Sequence, residues 1–513
     1  MKRNISATLF LSLCLLFAAC SQDEGNYDYH DIAAITIDGL EDSYVANLNE
    51  GYVFRLNPEV TTTGRESDLE YEWKLQGTTS PDLKSTIVLG RERNLVWDVD
   101  SANIGSCNLV YRVKDRASGV TASRYMDISL ALRNSGIMVL CENAEGRSQL
   151  DLISFAADTV VLRNVLKNFP PLGKPRYVAQ VGQWLFTFDR RFTFRWLVTE
   201  DDAYQFNEDF EYEAGNDFSA NLLLTKDSYD RNAKLLEVHP RNRRNSYGDL
   251  KNEVFVCSNG YLFAAHFVFS EPINILADEE GVMLAAPYIF RHFYKYFTGV
   301  VYYDRVNERF LYTSTDRYNF YSQRLTDRAG EVFPWNNKEV NRTLVYGGST
   351  FNYDFDSDPE GNCYALMRDK GTDDLYIYRF RVGQSYRFML KCVCYSLGRR
   401  FPDLLRAEHF VFSSKRTALY YSIGSKIYGL DFNPGNERLF ELMDYGDAAI
   451  TDMRLDDQIE TDKDFIYVAT YNQAEGGTFM KLEQGTDPDR LELREVPDCR
   501  WTGFGKIVSW SWK

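Results

Sequence analysis

The feature that most constrains this chain is a series of short apolar strand pairs that recur about every 50 residues from Gly136 onward. Each pair consists of two β-prone runs joined by a polar turn, such as Val306-Asn307-Glu308. No strong helical period interrupts them. The predicted pairs are residues 137–140 with 150–153, 184–188 with 192–196, 253–256 with 261–264, 300–304 with 309–312, 362–366 with 375–379, 418–422 with 426–430, and 465–469 with 478–482.

Strand pairs that repeat at a fixed period are typical of a β-propeller, and their number predicts about seven blades over residues 136–513. The last predicted strand, Gly505 to Trp510, is expected to join the first blade and close the ring, because an open sheet leaves unpaired edges. An array of further β-sandwiches is the structural alternative.

Residues 31–134 show a different strand pattern from the rest of the chain, with about seven short predicted strands in some 100 residues. The clearest covers residues 69–75, where Leu69, Tyr71, Trp73 and Leu75 alternate with polar residues. Strict alternation indicates a half-buried strand, and this number of strands favours an immunoglobulin-like β-sandwich. The other predicted strands are residues 34–37, 52–56, 87–89, 95–97, 109–113 and 125–130. The whole chain is therefore predicted to be all-β.

Two of these strands carry a family resemblance. Tyr71-Glu72-Trp73 and the run from Tyr111 to Asp115, together with their spacing, resemble a PKD domain over about residues 30–134. The Gly-Asp-Gly turn of that family is missing after Trp73, which indicates the divergent PKD-like branch of Bacteroides-type lipoproteins. The C-terminal segment GFGKIVSWSWK is similar to the closing segment of the same lipoproteins.

The N-terminus predicts export and a lipid anchor. Lys2 and Arg3 precede an apolar stretch, residues 7–19, which is shorter than the roughly 20 residues that span a bilayer and is typical of a signal peptide, here residues 1–19. Phe17-Ala18-Ala19-Cys20 resembles a lipobox, with Phe where Leu is usual, so Cys20 is the predicted lipidation site. An ordinary secretory signal is the alternative.

Residues 20–30 are polar and form a predicted tether. Within them, the acidic stretch Ser21-Gln22-Asp23-Glu24-Gly25 resembles the surface-export signal of Bacteroides-type lipoproteins. The resemblance implies display on the outer face of the outer membrane. The same stretch is also consistent with a solvated linker.

Net charge and cysteine count restrict the possible partners and the expected disulfides. The formal net charge is −16, and loss of Lys2 and Arg3 with the signal peptide makes it −18. This charge argues against nucleic acid, because phosphate binding depends on Lys and Arg. Seven scattered cysteines remain after Cys14 and Cys20 are set aside, and an odd, scattered set does not predict a disulfide framework.

No catalytic signature is present: the chain lacks a nucleophile elbow, a zinc-protease motif, a phosphate loop and a dinucleotide fingerprint. The five histidines are scattered without zinc-ligand spacing, so neither a cofactor nor a metal is expected. A weak metal candidate is a calcium loop at Asp354, Asp356 and Asp358, although Asp, Pro and Gly residues before a strand are also typical of an ordinary turn. Cys392 and Cys394 allow a metal or redox pair, with packing in a strand as the alternative.

Two segments are candidate ligand-binding sites. The aromatic run from Tyr288 to Tyr303 offers rings that stack on sugars or peptide side chains, and an arginine-rich loop offers donors for carboxylates. Blade packing and a solvated loop are the respective alternatives. The candidate residues are Tyr288, His292, Tyr294, Tyr296, Arg241, Arg243 and Arg244.

Together these features predict a surface lipoprotein that binds a glycan, peptide or protein and has no enzymatic activity. Similar PKD-like lipoproteins are accessory parts of nutrient-capture systems built around TonB-dependent transporters, so the resemblance implies that role. Two alternatives remain open: a hydrolase or lyase whose carboxylates converge from distant blades, and a scaffold that docks another protein.

Overall fold

The computed structural model describes residues 33–47, 53–77, 86–99, 105–131, 135–155, 159–185, 190–222, 233–239, 254–265, 272–275, 283–291, 299–314, 322–350, 362–383, 389–456 and 465–513. The chain divides into two compact units, residues 1–132 and 133–513. Within the described ranges all regular structure is β-strand apart from short 3₁₀ turns. Across the same ranges, no helix has both the length and the apolar content needed to cross a bilayer.

The first unit is a β-sandwich. Its strands are β1 (Ile35–Asp38), β2 (Ser43–Asn47), β3 (Val53–Leu56), β4 (Glu59–Thr62), β5 (Leu69–Gly77), β6 (Ile87–Gly90), β7 (Leu95–Asp98), β8 (Gly105–Asp115) and β9 (Thr121–Ala131). A five-stranded sheet has the order β2-β9-β8-β5-β6, and the pairs β1-β4 and β3-β7 complete the unit. The sequence analysis did not predict strands β2 and β4, because their short sequences, rich in Ser and Tyr or in Glu and Thr, lack a clear apolar face.

The alternation predicted on β5 is confirmed, because Trp73 and Leu75 are fully buried while Glu70 is exposed. Trp73 stacks on Tyr111 with ring centroids 4.1 Å apart, and its indole N–H donates to the Glu92 carbonyl at 3.1 Å. Trp73 and Tyr111, two of the residues that carry the PKD resemblance, thus lie in the sandwich core.

The second unit is built from 27 strands in the described ranges. They are β10 (Gly136–Glu142), β11 (Ser148–Ser154), β12 (Val160–Leu162), β13 (Pro175–Leu185), β14 (Arg190–Thr199), β15 (Ala203–Phe206), β16 (Leu235–His239), β17 (Val254–Cys257), β18 (Leu262–Ala265), β19 (Pro272–Ile275), β20 (Ala285–Arg291), β21 (Gly299–Asp304), β22 (Arg309–Ser314), β23 (Gln323–Arg324), β24 (Arg342–Thr350), β25 (Asn362–Asp369), β26 (Leu375–Arg381), β27 (Leu390–Gly398), β28 (His409–Phe412), β29 (Ala418–Ile423), β30 (Lys426–Asp431), β31 (Arg438–Asp444), β32 (Ala449–Leu455), β33 (Phe465–Asn472), β34 (Gly476–Gln484), β35 (Leu493–Phe504) and β36 (Lys506–Trp512).

These strands form seven antiparallel sheets in the described part of the unit, six of four strands and one, β13-β14-β15, of three. One edge strand of each sheet packs against the matching strand of the next. The order of packing is β36, β13, β16, β20, β24, β28, β32 and again β36. A circular order of inner strands is a seven-bladed β-propeller, so the predicted fold class is confirmed and the sandwich array is excluded.

The ring is closed by the end of the chain. Strand β36 pairs antiparallel with β10, with Ile137 opposite Trp512 and Glu142 opposite Lys506. The first blade therefore has the order β12-β11-β10-β36, and its inner strand comes from the C-terminal segment. The expected closure is confirmed.

Serine side chains join β36 to the inner strand of the second blade. The Val178 N–H donates to Ser509 Oγ at 3.2 Å, and the Gln180 N–H donates to Ser511 Oγ at 3.1 Å. All four residues are buried. Alternate N–H groups of β13 point away from its partner β14, and the serines satisfy two of them.

The middle strands of the blades explain why the repeat was visible in the sequence. Strands β10, β21 and β25 are buried on both faces and are continuously apolar. Polar residues cap their turns: Asp369 Oδ1, for example, accepts the N–H groups of Gly371 and Thr372 at 2.8 and 3.0 Å. Such Asx turns are the expected chemistry of tight hairpins.

Six of the seven predicted pairs match observed neighbours, whereas the second pair is displaced. Its first strand begins at Pro175 rather than Trp184, and Trp184 pairs with Arg191. The reason is that apolar burial starts at Tyr177 and continues through Val181, so the true strand lies mainly before the segment that was predicted.

Candidate functional site

The inner strands of the propeller surround a channel that contains two cavities. The larger, here called the mouth cavity, has a volume of about 900 Å³ and is lined by the first residues of β13, β28, β32 and β36. The smaller, here called the aromatic cavity, has a volume of about 470 Å³ and runs along β20, β24, β28 and β32. Both volumes fall in the range of ligand-binding pockets.

The mouth cavity is lined by charged groups of both signs. Its acids are Glu142, Glu200 and Glu408, and its bases are Lys174, Arg176 and Lys506. Lys174 Nζ lies 3.5 Å from Glu142 Oε2. Tyr177, His409 and Tyr471 add rings to the wall. The cavity therefore combines formal charges with aromatic surface.

The aromatic cavity is built around Tyr346. Its ring stacks on Phe410 at 5.0 Å between centroids, and Tyr288 meets it edge-on at 5.1 Å. The Tyr288 hydroxyl donates to the Val345 carbonyl at 3.5 Å. Leu404 and Leu405, from a short 3₁₀ turn, complete an apolar wall. Such a wall accepts an apolar or ring-shaped group of a ligand.

A glycine allows the blades to approach closely at this wall. A Cβ built on Gly347 would lie 2.5 Å from Phe290 Cζ and 3.0 Å from Tyr288 Cβ. Any larger residue would therefore push β24 away from β20 and move Tyr346.

An arginine deeper in the aromatic cavity is held by the protein. Arg454 Nε donates to Asp452 Oδ2 at 2.9 Å, and its Nη2 donates to Ser509 Oγ at 3.3 Å. The guanidinium lies 4.8 Å from the centroid of Trp510. Because Asp452 neutralises it and Trp510 covers it, Arg454 positions β32 against the closing strand.

A thiol lies next to the aromatic cavity but is unsuited to nucleophilic chemistry. Cys363 Sγ donates to the Arg291 carbonyl at 3.6 Å and lies 3.5 Å from Ser349 Oγ. Burial raises the pKa of this thiol to about 12. Since the thiolate is the reactive form, Cys363 is a packing residue at neutral pH.

The described residues contain no cluster of side chains arranged to bind a metal ion. Across those ranges, no group of three His, Cys, Asp or Glu side chains is placed to hold an ion. The calcium candidates Asp354, Asp356 and Asp358 lie outside the described residues.

The structure places one of the predicted ligand-binding residues, Tyr288, in the wall of the aromatic cavity. The others lie outside the described residues, namely His292, Tyr294, Tyr296, Arg241, Arg243 and Arg244, as does the lipidation candidate Cys20. Their roles stay predictions.

Sequence reasoning missed Arg176, Tyr346, Glu408 and Lys506. Tyr346 lies in the middle of β24, in the aromatic cavity. Arg176, Glu408 and Lys506 are separated by up to 330 residues (506 minus 176) and meet because the ring brings the beginnings of inner strands to one edge. A local motif cannot show this. The available signals were that Arg176, Tyr346 and Glu408 each precede a predicted hairpin and that Lys506 lies in the predicted closing strand.

A family comparison supports the N-terminal resemblance. The model of the PKD-like family matches residues 20–169, which confirms the resemblance stated for residues 30–134 and extends over the first strands of the propeller. A search of curated proteins finds no significant match.

Solved structures with similar folds have low identity to this chain. A quinonprotein alcohol dehydrogenase-like protein from Bacteroides thetaiotaomicron is 11% identical, with a TM-score of 0.35, covering 90% of this chain and 96% of that one. A hypothetical selenium-binding protein from Sulfolobus tokodaii is 10% identical, with a TM-score of 0.39, covering 72% and 91%. PorZ, a surface component of the type-IX secretion system of Porphyromonas gingivalis, is 10% identical, with a TM-score of 0.16, covering 93% and 62%.

Proposed function

We propose that this chain, whose residues 20–169 match the PKD-like family, is a non-enzymatic binding protein that holds a glycan or peptide at the mouth of its propeller. In this proposal a lipid on Cys20 tethers it to the outer membrane, facing the medium. It serves there as an accessory component of a nutrient-capture system, with a TonB-dependent transporter as its partner.

The observation that carries the binding role is the pair of neighbouring cavities in the channel. Glu408 and His409 line both, so a ligand can extend from the charged mouth to the wall formed by Tyr346 and Phe410. Concave sites with aromatic walls and a few polar groups are the usual form of small-ligand sites. Ring stacking is tolerant of ligand chemistry, which suits either a sugar or a peptide side chain.

The binding role is tested by titrating the purified mature protein with glycan and short-peptide panels and comparing the Tyr346→Leu variant. Loss of one ring contact is expected to weaken binding about two- to tenfold, from the roughly 0.5–1.5 kcal/mol of an aromatic pair. Tyr125→Leu is the matched control, because Tyr125 is an exposed ring on the sandwich. Equal affinity of wild type and Tyr346→Leu for every ligand bound would contradict the proposed site.

The anchor and its location need a separate test. Radiolabelled palmitate is expected to enter the wild type and not Cys20→Ala. Protease added to intact cells is expected to digest the anchored protein. A labelled but protease-resistant protein would retain the anchor and reject surface display. Crosslinking on intact cells, followed by identification of the captured transporter, tests the partner.

A further inference from the structure

Four charged side chains at the mouth cavity have no ion-pair partner in the described part of the chain: Glu200, Glu408, Arg176 and Lys506. All four are exposed. Lys174, in the same wall, lies within ion-pair distance of Glu142. The cavity thus holds both a matched pair and charges that the fold leaves available to a ligand.

Glu408 and the two bases lie on different sides of the channel, whereas Glu200 lies on the Arg176 side, where its N–H donates to the Lys174 carbonyl at 2.9 Å. Glu408 directly precedes β28, Arg176 is the second residue of β13, and Lys506 is the first residue of β36. In the circular order, β32 and β36 lie between β28 and β13 on one side, and β16, β20 and β24 on the other. Glu408 therefore stands across the channel from Arg176, and Lys506 lies on the strand next to Arg176.

We infer that the mouth cavity binds a short peptide with free termini, its ammonium group at Glu408 and its carboxylate at Arg176 and Lys506. This inference rests on the binding function proposed above and names its ligand class. A guanidinium binds a carboxylate through two parallel hydrogen bonds. A neutral glycan would supply neither counter-charge, so a zwitterionic chain matches the cavity better.

The shared wall assigns the direction and the first side chain of the peptide. Because Glu408 and His409 border both cavities, an ammonium at Glu408 places the side chain of the first residue at the entrance of the aromatic cavity. Leu404, Tyr346 and Phe410 line that space. The first residue of the ligand is therefore aromatic or aliphatic.

The test is calorimetric titration of the full mature chain with the tripeptide Phe-Ala-Ala, its N-acetylated form, its C-amidated form, and maltotriose. Blocking either end is expected to weaken binding about two- to fivefold, the value of a partly solvated ion pair. Glu408→Gln should produce the same loss with the free peptide and no further loss with the acetylated one. Arg176→Gln should behave in the same way toward the amidated peptide.

Glu339→Gln and Arg328→Gln are matched controls, because both side chains are exposed on the segment between β23 and β24 and outside both cavities. They are expected to leave all four affinities unchanged. Equal binding of free and blocked peptides would overturn the inference. Maltotriose binding that depends on Tyr346 would also overturn it while the proposed binding function stands, whereas binding of none of the four probes counts against both.

Discussion

Ring closure through Ser509 and Ser511 gives the sharpest test of the fold. The double variant Ser509→Ala/Ser511→Ala removes the oxygens that accept the Val178 and Gln180 N–H groups at 3.2 and 3.1 Å. Both donors are at most 4% exposed, so each is left without its acceptor in a buried site. An unsatisfied buried donor costs about 1–3 kcal/mol, and two such losses give about 2–6 kcal/mol.

The assay is equilibrium unfolding in urea, followed by tryptophan fluorescence, since Trp510 and Trp512 flank the substituted serines. The free energy of unfolding should fall by that amount with little change in the slope against urea. Ser396→Ala on the outer strand β27 is the control, because Ser396 is exposed and such a change stays within about 0.5 kcal/mol. A double variant as stable as this control would refute the closure argument.

Three further outcomes are expected. Gly347→Ala should lower stability by about 1–3 kcal/mol in thermal melts, because its Cβ would lie 2.5 Å from Phe290. Burial raises the pKa of Glu331, but the hydrogen bond from Lys391 outweighs this and holds the pKa below its usual value. The stabilisation of the fold by ionised Glu331 is therefore fully present above about pH 4 and is lost as pH falls through the lowered pKa. Glu331→Gln should therefore flatten the acid limb of a stability–pH profile. Cys363, with its pKa raised to about 12, should resist iodoacetamide at pH 8 in the native protein.

These outcomes have their own controls. Gly90→Ala should be well tolerated, since the nearest atom to its Cβ is 4.0 Å away. Glu339→Gln should leave the pH profile unchanged. Denatured protein should alkylate at Cys363 at the rate of an ordinary cysteine. A folded protein in which Cys363 reacts as fast as in the denatured chain would show that the aromatic cavity opens readily.

The middle strands of the blades were predictable, whereas the inner strands other than the closing strand β36 were not. Strand β25 is buried on both faces along most of its length, so its sequence is a continuous apolar run. Strand β24, which lines the channel, contains Gly347, Gly348 and Ser349 and is mostly half-buried. Its composition reflects the approach of neighbouring blades and an open cavity, and such positions carry no periodic signal.

The residues of the candidate site were predictable only in part. Tyr288 was identified from sequence because it lies in a dense aromatic run, and the structure places it in a cavity wall. Glu408 and Arg176 were not identified, because their proximity depends on the circular order of the blades. Local composition reveals aromatic runs and charged loops. Charges that face each other across a channel can be recognised only from the closed fold, because they come from distant parts of the chain.

The pairing of Ile137 with Trp512, and the hydrogen bond from the Lys513 N–H to the Gly136 carbonyl, bring both ends of the propeller to one rim. Glu142 and Lys506, at the other ends of the same two strands, line the mouth cavity on the opposite rim. A dye, affinity handle or sensor surface attached at Lys513 therefore lies on the rim of the propeller opposite the mouth cavity. Immobilised protein should accordingly report the same affinity as protein free in solution.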